Sequence, residues 1–165
     1  MLKRGQRKGQ LELSFTIIFS IIIIIAIIGV GFYVITYFVN LSRCTDVGFF
    51  YNDLQKRVDK AWASEISQEV FTSKLPGGIE EACFGSLNDS NVVSYKEEYE
   101  FLRRYLNLNK NVFLYPPARA CDVKLSYYDL NHAQFAEFFC VPVTDDKISV
   151  KLTKGSFDAL VKVSR

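Results

Sequence analysis

The chain has 165 residues, with 20 Lys plus Arg, 18 Asp plus Glu and a single histidine, for a formal net charge of +2. Four of the cations, Lys3, Arg4, Arg7 and Lys8, fall in the first eight residues without an acid among them, and after residue 40 there are 16 basic against 17 acidic residues. The positive balance therefore belongs to a short tail, and the overall charge gives no support to a nucleic-acid-binding surface.

Residues 13–38 form an uncharged run that includes five consecutive isoleucines, Ile21 to Ile25. At a rise of about 1.5 Å per residue, such a run is long enough to cross a hydrocarbon core of roughly 30 Å. A cleaved secretory signal also begins basic and continues apolar, but its apolar part is only about 7–15 residues and ends in small residues. Here the far end reads Tyr33-Val34-Ile35-Thr36-Tyr37-Phe38, an aromatic cluster suited to the lipid–water interface. The expectation is a retained transmembrane helix over 13–38. The basic flank 1–12 predicts a cytoplasmic N-terminus, and 39–165 is then an extracytoplasmic domain.

From residue 49 to 71 the apolar positions Phe50, Leu54, Val58, Ala61, Trp62, Ile66 and Val70 recur every three or four residues, which predicts an amphipathic helix. Leu41, Cys44 and Val47 extend the stripe back toward the apolar run, whereas Gly48 is a residue at which a helix can end. Pro76-Gly77-Gly78 stops the pattern. Ser94 and Glu97 have capping-box spacing, so a shorter helix is expected there, burying Tyr95, Tyr99, Leu102 and Leu106. Strands are predicted at 79–84, 112–115, 123–127, 137–141, 148–152 and 161–163, forming an antiparallel sheet. A long helix followed by a sheet-bearing head with one shorter helix is an α+β order.

Cys44, Cys83, Cys121 and Cys140 all lie after the apolar run. With no C-x-x-C pair and only His132 as a histidine, disulfides outside the cell are a better reading than a metal site. A hairpin turning at Leu130-Asn131 would place Cys121 opposite Cys140. Cys44 would then join Cys83, although the chain must return almost the length of a helix to do so; pairing of Cys44 with a later cysteine or another subunit is the alternative. Asn88-Asp89-Ser90 is a glycosylation acceptor pattern in a polar loop, and Asn40-Leu41-Ser42 lies close to the bilayer.

Catalytic chemistry has little to rest on. His132 sits alone in a turn-like segment, and no nucleophile-elbow, zinc-helix, phosphate-loop or dinucleotide motif is present. Neither a cofactor nor a metal is expected. The acidic groups Glu80-Glu81, Glu97-Glu98 with Glu100, and Asp145-Asp146 lack calcium-loop spacing and read as solvated faces or turns. Glu12 differs, because a carboxylate one turn inside an apolar run is unfavourable in lipid unless it finds a partner or reaches the interface.

Lys8-Gly9-Gln10-Leu11-Glu12, followed directly by a long apolar helix, resembles the class III signal segment of archaeal type IV pilin-like proteins. The resemblance covers about forty residues. It implies that a prepilin-type peptidase cuts after Gly9, that Gln10 becomes the N-terminus, and that the apolar helices of many copies pack into a homo-oligomer or filament. It also implies a β-rich outer head. In such an assembly Glu12 would pair with a neighbouring amine, and Gly29 and Gly31 would allow close helix approach. The layout is also similar to that of small uncharacterised archaeal single-pass membrane proteins. The competing reading is an anchored binding or accessory domain that is neither processed nor polymerised.

Overall fold

The computed structural model describes residues 8–88 and 95–165, and the side chains of residues 8–14 lie outside that description. The chain divides into two units, Met1–Asn40 and Leu41–Arg165. Its class is α+β.

Helix α1 runs from Lys8 to Trp62 and is not interrupted at Gly48. Its later part buries Val47, Phe50, Tyr51, Leu54, Val58 and Ala61, a stripe at intervals of three and four residues. The helix ends earlier than the apolar spacing predicts. Ser64 N–H donates to the Ala61 carbonyl, tightening the last turn, and the Lys154 ammonium caps the carbonyls of Trp62 and Ser64. Ile66 and Val70, expected on the helical stripe, are instead 71% and 63% exposed. Residues Ser67–Lys74 are strand β1, with only Phe71 fully buried. The β-branched and aromatic run Val70-Phe71-Thr72 suits a strand paired along its whole length better than another two helical turns.

The single expected sheet is two four-stranded sheets. The first joins β1 to Lys147–Lys154 (β7), then Val161–Ser164 (β8), then the short Ala133–Gln134 (β5), whose pairing with β8 is parallel. The second is ordered Tyr127–Tyr128 (β4), Val112–Tyr115 (β3), Glu81–Phe84 (β2) and Phe139–Pro142 (β6), antiparallel throughout. The strand expected over 123–127 is mostly a 3-10 turn, Val123–Leu125, because Asp122 accepts from the Lys124 N–H and the Ser126 hydroxyl donates to the Val123 carbonyl. Asp145 and Asp146, with φ of 53° and 56°, form the two-residue turn that links the two sheets. Left-handed backbone at both positions is what such a tight connection needs, and aspartate tolerates it.

Alternation within the second sheet assigns its residues to two separate cores. Ala82, Phe84, Val112, Leu114, Phe139 and Val141 pack with the α1 stripe and with Phe71, Ile148, Val150, Leu152, Val161 and Val163 of the first sheet. Cys83, Phe113, Phe138 and Cys140 face the other way, beneath helix α2 (Lys96–Leu102) and the 3-10 helix Arg103–Leu108 that follows it. In α2, Tyr99 and Leu102 are buried, as the sequence predicts. The expected cap at Ser94 lies outside the described residues; the position before α2 is Tyr95, in left-handed conformation with no side-chain cap. Gly85 closes β2 at φ +120°, where an added Cβ would come within 2.9 Å of the Phe138 backbone.

This register corrects the cysteine pairing. The bonds are Cys83–Cys140 and Cys44–Cys121, with Cα separations of 3.9 and 5.2 Å. The expected Cys121–Cys140 and Cys44–Cys83 pairs do not form; Cys44 takes the alternative, a later cysteine, Cys121. Residues 127–128 and 139–142 do not make a hairpin with each other: β4 pairs with β3 and β6 with β2, which puts Cys140 directly opposite Cys83.

Two consequences can be measured. Non-reducing peptide mapping should recover Cys83 linked to Cys140 and Cys44 linked to Cys121, and replacing Cys44 and Cys121 together by serine should destabilise the head by about 4 kcal/mol, given the 77-residue separation. Leu54→Ala, at a fully buried position between helix and sheets, should cost about 3 kcal/mol in denaturant unfolding.

Candidate functional site: the exposed apolar helix

The first functional surface is α1 before the head. Every described side chain from Phe15 to Ser42 is exposed, Phe32 to 68% and Tyr33 to 71%. This helix is long and apolar enough to cross a membrane. The run also handles its polar atoms internally. The Ser20 hydroxyl donates to the Thr16 carbonyl at 2.8 Å and the Thr36 hydroxyl to the Phe32 carbonyl at 3.1 Å, so neither requires water. Apolar exposure on this scale marks contact with lipid or with other protein chains.

Among the residues singled out by sequence, Gly29 and Gly31 sit in this stretch with open space around both, since a Cβ at either would meet no atom within 4 Å. Gly9, Gln10 and Glu12 belong to the first turns of α1; the Glu12 side chain lies outside the described residues.

The second surface is where α1 joins the head. Proceeding along the helix, Cys44 is bonded to Cys121, the Tyr51 hydroxyl donates to the Leu125 carbonyl at 2.8 Å, and the Tyr51 ring stacks on Tyr128 with centroids 4.7 Å apart. One turn further, Gln55 exchanges hydrogen bonds with the backbone of Asn131, and Asp59 Oδ1 lies 3.0 Å from His132 Nδ1. His132 stacks on Trp62 at 3.8 Å with the ring planes nearly parallel, while the Trp62 indole donates to the Ala159 carbonyl. Segment 121–132 thus runs beside α1 in the same direction, fastened at successive turns. Burial, reinforced by Tyr128, raises the Tyr51 phenol far above its ordinary pKa; burial, with the charges of Asp59 and Asp129, raises Tyr128. Tyr51 therefore remains a hydrogen-bond donor. Sequence patterns could not reveal these partners, which are separated by seventy residues or more.

Asp59 and His132 make an acid–histidine pair, but their geometry is that of a clamp. Gln55 Nε2 holds the same Asp59 oxygen at 2.8 Å, and Trp62 covers one ring face of His132. No hydroxyl or thiol among the described residues is hydrogen-bonded to His132. The third potential site surrounds Glu81. Its carboxylate and the sulfurs of Cys83 and Cys140 lie within 4.8 Å of one another, yet a cystine has no thiolates to offer a metal. Glu81 Oε2 is sealed from solvent with no hydrogen-bond partner among the described residues. Burial and then the charges of Glu98 and Glu80 raise its pKa, opposed by Arg165. Asn88 is exposed in a turn, its N–H donating to the Ser86 hydroxyl; Ser90 of the acceptor pattern lies outside the described residues.

The Glu81 environment predicts a pH effect of definite sign. An acid whose pKa is raised on folding binds its proton more tightly in the folded state, so the head should lose stability as pH rises from about 4 toward neutrality. Glu81→Gln should remove that component, raising the melting temperature at neutral pH and flattening its pH profile; a melting temperature that falls at neutral pH would show that ionised Glu81 supports the fold. No protein-family model matches the chain, and neither a curated protein nor a solved structure matches it.

Proposed function

We propose that this chain is a non-enzymatic, pilin-like surface subunit, single-pass with its N-terminus in the cytoplasm, that assembles through its apolar helix and displays a disulfide-stabilised head outside the cell. The observation that carries this reading is the wholly exposed apolar stretch of α1 in a chain whose head already has its own cores. In lipid, helices associate by close packing and polar contacts, and Gly29 and Gly31 leave room for another backbone. Cleavage after Gly9 would create an amine at Gln10 near Glu12, and a carboxylate of a neighbouring helix could pair with it. The Asp59–His132–Trp62 group serves as a fastening, and the two cystines suit an oxidising exterior.

One observation favours the anchored-domain alternative. Both disulfides are intramolecular and both cores are closed by the chain's own residues, so the head can stand without a second copy.

Mass spectrometry of the protein from its native membrane distinguishes the two. A mature form beginning at Gln10, with Gly9→Val accumulating as precursor and Glu12→Gln inserted but at least about tenfold poorer in cross-linked oligomer, is the expected result. Recovery of Met1-Leu2-Lys3 on a protein that cross-links only as monomer would leave the anchored domain. Protease added to intact cells should digest the head and spare an N-terminal tag; protection of the head would reverse the orientation.

A further inference from the structure

The first sheet buries one face, and its other face carries an unusual charge arrangement. Because β1, β7 and β8 alternate inward and outward, Lys74, Lys147, Lys151 and Lys162 all belong to the outward set. The β1–β7 register puts Lys74 directly opposite Lys147, and Lys151 opposite Val70. Only Lys162 has an acid, Asp158, at 2.7 Å. Among the described residues Lys74, Lys147 and Lys151 take part in no ion pair. The acids nearest in sequence are Asp145 and Asp146 in the preceding turn and Glu69, which belongs to the inward set and pairs with Arg57. Like charges directly opposite on neighbouring strands destabilise a sheet. Here two lysines face each other on a well-registered sheet with no carboxylate in ion-pair contact with either among the described residues, which is where a function is expected to override a local rule.

We propose that this face docks an anionic polysaccharide. The charge identifies a polyanion, and the remaining side chains identify its kind. Between the lysines stand Thr72 and Ser149, joined hydroxyl to hydroxyl at 2.9 Å, and Gln68 opposite Thr153. These are exchangeable donors and acceptors of the sort that meet sugar hydroxyls. The outward set of β1, β7 and β8 contains no aromatic ring on which a nucleic-acid base could stack, and no helix projects from it to enter a duplex groove. Val70 is the one apolar side chain in the outward set; Ile66 and Phe157, also exposed, lie before β1 and in the β7–β8 connection and not on the strands that carry the lysines. Lys147 and Lys151 are four residues apart on one strand, about 13 Å, so the charges contact more than one sugar ring of an extended glycan. The docking uses no residue of the apolar helix and holds whether the chain polymerises or stands alone.

The test uses the full chain in neutral detergent with heparin as the sulfated probe, uncharged dextran as control and duplex DNA as competitor. Heparin should bind with an affinity that falls as salt rises, dextran should not bind, and DNA should bind more weakly than heparin. Lys147→Gln with Lys151→Gln should weaken heparin binding about tenfold. Lys96→Gln with Lys124→Gln, an equal charge change at exposed positions on α2 and the 3-10 helix Val123–Leu125, outside the first sheet, should alter it by less than about twofold. Since the sheet variant relieves the repulsion of Lys74, its melting temperature should hold or rise. The proposal is overturned if heparin binds no better than dextran, if both double variants lose affinity equally, if DNA binds more tightly, or if the sheet variant melts lower.

Discussion

One helix carries two different kinds of surface. From Phe15 to Val39, α1 is apolar on all sides and the hydroxyls of Ser20 and Thr36 bond back to its own carbonyls; from Val47 onward it is apolar on a single stripe. That stripe is the surface on which the head is organised. Val47, Phe50, Leu54, Val58 and Ala61 contribute to the same core as the inward faces of both sheets, so losing the helix would expose each of them. The fastenings from Cys44–Cys121 to Trp62–His132 then fix the long connection 121–132 along the helix, while α2 covers the far side of the second sheet.

Some of this architecture was legible in the residues and some was not. The apolar run needed only composition and length, and the stripe through Ala61 needed only the helical period. Beyond Trp62 the period misleads, because Ile66 and Val70 satisfy a spacing of four and also a spacing of two. Lys154, some ninety residues away, caps the carbonyls where the helix ends, and no local pattern announces it. The cysteine pairing failed for a related reason. Placing Cys121 opposite Cys140 assumes that neighbours in sequence pair, whereas β6 crosses to β2, 57 residues earlier, and β4 to β3.

Charge shows the same limit. A head that is nearly neutral in total segregates its charge. Burial, and then the charges of Glu97, Glu98, Glu80 and Glu81, raise the pKa of Tyr115, while the lysines of β1, β7 and β8 share one side of another sheet. Neither cluster can be read before the register is known, since its members come from segments far apart in the chain.

The order of strands in the first sheet also governs how the head comes into being. β1 ends at Lys74, but its partner β7 begins at Lys147 and β8 ends at Ser164, so the sheet cannot close until a further 90 residues have been synthesised. Such non-local pairing is slow, and an unpaired strand is open to wrong partners while it waits. Glu69 and Lys74, flanking Val70-Phe71-Thr72, place opposite charges on either side of the stickiest part of β1, guarding it through synthesis before either charge has its place in the finished sheet.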